Sequence, residues 1–143
     1  MKSIKQFSTR NGGFTLIEVL VVVVILSILA AVIVPKIMDR PDQARVAAAE
    51  ADINGITNAL KLYRLDNVVY PSTEQGLQAL VTRPETEPVP RNWKQYLDRV
   101  PKDPWGTDYY YVKGGTSGAD FELLSLGADR APGGEGINAD IGH

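Results

Sequence analysis

Two groups of residues in this sequence could do chemistry. The first is Gly12-Gly13-Phe14-Thr15-Leu16-Ile17-Glu18, at the head of a run that stays apolar to Val34. Phe14 to Val34 is 21 residues long, and Glu18 is its only charge. A carboxylate inside such a helix is unfavourable by roughly 2.5–3.5 kcal/mol on insertion scales, so it needs a partner or a position that water reaches. Glu18 lies near the end of the run, where snorkelling lowers that cost, so an interfacial carboxylate without a role fits these residues as well as a paired one. The glycine pair supplies small residues for a peptidase just before the run. Cutting there would free an N-terminus on Phe14 and leave the apolar segment on the mature chain. The second group is Asp129, Glu135, Asn138 and Asp140, set among five glycines from Gly127 to Gly142. Hard cations such as calcium take about six to eight oxygens from carboxylates, amides and carbonyls on a flexible loop. The glycines would let the loop fold back until Asp129 and Asp140 converge. The spacing is not that of an EF-hand, and a solvated acidic tail accounts for the same composition.

Other chemistry finds little support. The only histidine is His143, cysteine is absent, and no nucleophile–base motif or phosphate loop is present, so the expectation is a chain that is not an enzyme. A net charge of −2, with no basic patch and no aromatics interleaved with Lys or Arg, argues against nucleic acid as a partner. Without cysteine, an exported domain of about a hundred residues cannot be stapled by a disulfide, and a bound metal is the obvious substitute.

The elements that would position these groups emerge from periodicity. At about 1.5 Å of rise per residue, the apolar run forms a helix of about 30 Å, the thickness of a bilayer core. Lys2, Lys5 and Arg10, with no acid among residues 1–13, keep the N-terminus cytoplasmic by the positive-inside tendency. Removing that leader takes away three of the 15 basic residues and none of the 17 acidic ones, leaving −5. Ala30-Ala31 falls inside the run and Pro35 comes directly after it, which makes cleavage after the run a poor alternative. Pro35 is expected to kink the helix or mark a weak point, and Pro41 to start a fresh turn at an N1-like position. Val46, Ala49, Ile53, Ile56, Leu60 and Tyr63 then step by threes and fours along one helical face, which ends near Asp66-Asn67.

Ser72 and Gln75 form a capping box ahead of a short helix that carries Leu77, Leu80 and Val81 inward. Prolines 84, 88 and 90 make residues 83–92 a loop, and 92–97 is read as a single turn with Trp93 packing down. Asp103-Pro104-Trp105-Gly106 is a tight turn with Trp105 expected to be buried. Tyr109–Lys113 and Phe121–Leu126 form a hairpin around the link from Gly114 to Gly118, with the tyrosines read as sheet packing.

Gly13 to Glu18, with an apolar helix after it, resembles the class III signal of type IV pilins and pseudopilins. That resemblance implies cleavage after Gly13 by a prepilin peptidase and N-methylation of Phe14. Glu18, fifth in the mature chain, would pair with the terminal ammonium of a neighbouring subunit during assembly. Tyr70-Pro71, Glu74-Gln75-Gly76-Leu77, Asp103-Pro104-Trp105-Gly106 and Ser125-Leu126-Gly127-Ala128-Asp129, in that order, resemble the major pseudopilins of type II secretion systems (the general secretory pathway protein G family). This second resemblance runs from Gly13 to Gly142 and implies one calcium in the C-terminal loop. Its ligands would be the Asp129 and Asp140 side chains, with Asn138 and the Leu126 carbonyl as further ones. Position 138 departs from the members that carry aspartate there, and an amide brings one less charge, which lowers the expected affinity.

The expected fold class is α+β of the type IV pilin kind. A long N-terminal helix, membrane-spanning in its first half and amphipathic in its second, packs on a small antiparallel sheet with a C-terminal calcium-binding loop. The expected organisation is a leader at 1–13, a transmembrane and filament-core helix at 14–34, and a periplasmic globular domain at 35–143. The function implied is major subunit of a type II secretion pseudopilus, a homo-oligomeric filament in the periplasm anchored from the bacterial inner membrane. Its partners would be the prepilin peptidase, minor pseudopilins, an inner-membrane assembly platform with a cytoplasmic ATPase, and the outer-membrane secretin. The alternative is a type IV pilus subunit for adhesion or motility, against which stand the absence of cysteine, the DPWG turn and the acidic terminal loop.

Overall fold

The computed structural model describes residues 12–116 and 118–142, with the side chains of 33–39 outside that description. Lys2, Lys5, Arg10, the ring of Pro35 and His143 therefore lie outside it. Helix α1 spans Leu16–Asn67. The Thr15 hydroxyl accepts from the Glu18 amide at 3.3 Å and caps its first turn. Glu18 in the first turn and Arg64 in the last complement the helix dipole. The helix runs through both Pro35 and Pro41, so Pro41 lies inside α1 and does not open a new helix.

The chain divides into two units at Asp39/Arg40. In the first, the large apolar side chains from Phe14 to Val32 are 49–90 % exposed, with no polar face among them. The described side chains of this apolar stretch stop at Val32. Among the described residues no helix is long and apolar enough to cross a membrane.

The second unit holds the core. Ala49, Ile53, Ile56, Leu60 and Tyr63 are buried along α1, on the stripe read from the sequence, with Val46 half-buried. The capping box forms in both directions, Gln75 N to Ser72 Oγ at 3.1 Å and Ser72 N to Gln75 Oε1 at 3.0 Å. It leads into a tight 3-10 turn, Leu77–Leu80, too short for an α-helix. That turn buries Leu77, Ala79 and Leu80, while Val81 is only half-buried. Residues 92–97 form no helical turn: Asn92 is a bend and 93–97 carry no regular secondary structure. Trp93 is half-buried there and donates from Nε1 to the Ala79 carbonyl at 2.7 Å.

The sheet has three antiparallel strands in the order β1 (Tyr110–Lys113), β2 (Phe121–Ser125), β3 (Ile141–Gly142). Tyr110 faces Leu124 and Lys113 faces Phe121, and Ser125 faces Ile141. Tyr109, Tyr111 and Leu123 join the cluster built by α1 and the 3-10 turn, while Tyr110 points out. The sequence pattern does not anticipate β3, a two-residue strand whose second residue is glycine. A Cβ at Gly142 would collide with the Leu123 carbonyl, so only glycine lets β3 approach β2 this closely.

Candidate functional site

At the N-terminal site, Gly13 and Phe14 precede α1 and are exposed. Glu18 lies in the first turn, also exposed, with its amide held by the Thr15 carbonyl at 3.1 Å and by the Thr15 hydroxyl. Thr15-Leu16-Ile17-Glu18 has the spacing of a capping box, so the cap could have been found from the sequence. Capping starts the helix just before Glu18 and uses its amide; its carboxylate makes no hydrogen bond among the described residues.

The C-terminal site is built by the segment between β2 and β3. Pairing of Ser125 with Ile141 brings the two ends of this segment together. Ala128 N donates to the Ile137 carbonyl at 3.0 Å, which folds the loop back on itself. Gly127 sits at φ +68, and a Cβ there would lie 2.9 Å from the carbonyl oxygens of Ile137 and Ala139. The Asp129 Oδ1 accepts from the Ala131 amide at 3.1 Å, and Asp140 Oδ2 accepts from the Gly133 amide at 2.9 Å. Two aspartates eleven positions apart in sequence therefore address amides two residues apart in one turn. The second oxygen of each takes part in no hydrogen bond among the described residues. Asn138 is exposed in the same segment, where the Gly134 backbone approaches its carbonyl so closely that a Cβ would clash. Leu126 is half-buried at the root of the loop.

The donor set suits a hard cation: two carboxylates, a side-chain amide and main-chain carbonyls, with no sulfur or imidazole. Among the described residues no three His, Cys, Asp or Glu side chains cluster as a metal site, so a cation here would have to draw on carbonyl and amide oxygens as well as the aspartates. Glu135, an oxygen donor by composition, is exposed.

Asp103 is the residue whose importance sequence reasoning missed. Trp105, expected in the core, is only half-buried, and Asp103 is buried in its stead at 3 % exposure. Its carboxylate organises the 103–107 turn by accepting from the amides of Trp105 and Thr107. An aspartate ahead of Pro-Trp-Gly is the Asx-turn signal that could have revealed it.

Known proteins resemble this chain over most of its length. Residues 36–143 match the family model described as type II secretion system (T2SS), protein G. Residues 8–34 match that of the prokaryotic N-terminal methylation motif. The chain is 55 % identical over 136 residues to the type II secretion system core protein G of Pseudomonas aeruginosa, covering 94 % of this chain and 95 % of that one. Its counterpart from Vibrio cholerae is 53 % identical over 136 residues, with 94 % and 92 % covered. The crystal structure of the major pseudopilin from the type 2 secretion system of enterohaemorrhagic Escherichia coli superposes with a TM-score of 0.63 at 42 % identity, covering 73 % of this chain and 90 % of that one.

Proposed function

The chain belongs to the type II secretion system protein G family, and from that premise we propose that it is the major structural subunit of a type II secretion pseudopilus and not an enzyme. The observation that carries this reading is the order of the two family matches, a methylation motif over 8–34 and protein G over 36–143. The second of these favours the secretion branch over a pilus for adhesion or motility.

In this reading a prepilin peptidase cuts after Gly13 and methylates Phe14. The apolar helix of residues 14–34 holds the subunit in the inner membrane with its N-terminus cytoplasmic, and the domain C-terminal to it lies in the periplasm. An apolar surface exposed on every side supports either lipid or the same helices of other copies as its surroundings. Within a filament Glu18 pairs with the terminal ammonium of a neighbour's Phe14, which removes the cost of leaving a carboxylate unpartnered among apolar helices. Growth of the filament, driven by a cytoplasmic ATPase through an inner-membrane platform and begun with minor pseudopilins, moves folded proteins through an outer-membrane secretin.

Calcium is part of the same proposal. Asp129, Asp140, Asn138 and the Leu126 carbonyl would hold it, and the bound ion would supply the positive charge that ties the two arms of the loop. Deleting the protein and assaying both exoprotein release and twitching tests the function. Loss of release with twitching intact is expected, and the reverse would overturn the assignment. An intact mass of the membrane-extracted chain should show residues 1–13 gone and one methyl added.

A further inference from the structure

The loop that carries Asp129, Asn138 and Asp140 leaves and rejoins the sheet at Ser125, which ends β2 and pairs with Ile141 of β3. Ser125 is fully buried. Its hydroxyl donates to Asp103 Oδ2 at 2.7 Å and accepts from the Gly127 amide at 3.3 Å. Asp103 Oδ1 in turn accepts from the Thr107 amide at 2.7 Å and the Trp105 amide at 3.2 Å. Asp103 N donates to the Thr107 carbonyl at 2.8 Å and Gly106 N to the Asp103 carbonyl at 2.9 Å, which closes the turn. Both carboxylate oxygens are therefore engaged, one by the turn and one by the hydroxyl at the root of the loop. A second tie joins the same two segments: Arg130 Nη2 donates to the Trp105 carbonyl at 3.2 Å, directly after Asp129.

A carboxylate this deeply buried is costly unless hydrogen bonds satisfy it, so its partners are held firmly in place. Among the described residues its one side-chain partner outside the turn is Ser125, and through Ser125 it reaches the amide of Gly127. Immediately beyond, the carbonyls of Ile137 and Ala139 pack against Gly127 with no room for a methyl group. A shift at Ser125 would thus move Leu126 and Asp129 relative to Asp140.

We infer that Asp103 and Ser125 are positioning residues for the calcium site, setting the spacing of the Leu126 carbonyl and Asp129 against Asp140 while binding no cation themselves. The inference rests on the calcium reading above. Groups that orient metal ligands through hydrogen bonds typically change metal affinity about 10- to 100-fold when removed.

The test uses the full-length chain in detergent, with calcium alone as the titrant. Calcium Kd is measured by titration calorimetry, and Tm is measured in calcium and in chelator, for the wild type, Asp103→Asn, Ser125→Ala and the core variant Leu80→Ala. Asp103→Asn keeps the shape of the turn and serves if Ser125→Ala does not fold. The expected result is a Kd raised about 10-fold or more in Asp103→Asn and Ser125→Ala, with a smaller calcium-induced rise in Tm. Leu80→Ala should lower Tm equally in both conditions at unchanged Kd. If Asp103→Asn lowers Tm but keeps the wild-type Kd, Asp103 is only structural and the positioning role is overturned. If the wild type itself shows neither calcium heat nor a calcium-dependent Tm, the calcium reading fails and the positioning role goes with it.

Discussion

At the residue scale, Asp66 and Asn67 close α1 and also hold the irregular segment 92–97. Tyr96 donates to Asp66 Oδ2 at 3.0 Å and accepts from Asn67 Nδ2 at 3.0 Å, and Lys94 lies 3.1 Å from the same Asp66 oxygen. Lys94, and after it Tyr96, holds the Asp66 carboxyl below the ordinary aspartate value. Burial, aided by the bond to Asp66, pushes the Tyr96 phenol up to about 12. A depressed carboxyl stabilises the fold above its unfolded pKa of about 3.9 and loses that contribution as pH falls through the folded value. Asp66→Asn should therefore flatten the acid limb of a plot of stability against pH. A raised phenol does the opposite at the alkaline end, contributing below its unfolded pKa of about 10 and losing the contribution as pH rises toward the folded value. Burial raises Tyr109 and Tyr111 as well, so all three add to the alkaline limb. Tyr96→Phe should make that limb shallower between about pH 10 and about 12 by one proton's worth, read from urea unfolding at stepped pH. Glu18 makes a different prediction, because its carboxylate is exposed and its amide alone supports the helix cap. Glu18→Ala should abolish fibres in electron micrographs while lowering the melting temperature of the subunit only slightly, by the loss of one exposed carboxylate from the first turn.

At the element scale, the 3-and-4 spacing of Ile53, Ile56, Leu60 and Tyr63 was legible because helix periodicity converts directly into a buried face. Leu60 is completely buried, so Leu60→Ala should cost about 2–5 kcal/mol in denaturant unfolding. The end of the helix is less well suited to its sequence. Val68, next after Asn67, sits at φ +73, donates to the Arg64 carbonyl at 2.7 Å and is 80 % exposed. A β-branched residue in the left-handed region is strained, and this one gains little from burial in return. Val68→Gly should raise stability by about 0.5–1 kcal/mol by the same measurement, the relief of strain outweighing glycine's extra unfolded-state entropy. Strand β3 was not legible because two residues carry no alternation. The short helix expected after the capping box is a single 3-10 turn of four residues, whose three-residue repeat puts Leu77 and Leu80 on one side, both buried.

At the scale of the whole molecule, the second unit, in a chain without cysteine, depends on a core supplied by one helix face, one 3-10 turn and a three-stranded sheet. In the proposed function calcium adds a staple between β2 and β3. With free calcium about 100-fold above Kd, ligand linkage predicts a Tm roughly 10–20 °C higher than in chelator for a domain of this size. A differential scan of the solubilised chain in the two conditions checks it, and identical curves would remove calcium from the account.

The sequence by itself determined the apolar run with its one carboxylate, the amphipathic stripe, the capping box and the hairpin. Each of these is a local pattern whose period or spacing translates into geometry without reference to distant residues. It also carried the family resemblance, since Gly13 to Glu18 and the DPWG and SLGAD strings are contiguous. Only the tertiary structure decided that Asp103 rather than Trp105 is buried, that Ser125 joins that turn to the acidic loop, and that Asp129 and Asp140 address one turn. Those outcomes depend on closures between distant positions, Asp103 with Ser125 and Ser125 with Ile141, that no local rule pairs. A buried carboxylate is stable only where the folded chain delivers its donors: Trp105 and Thr107 reach Asp103 within its own turn, but Ser125, 22 positions away, meets it only in the folded domain.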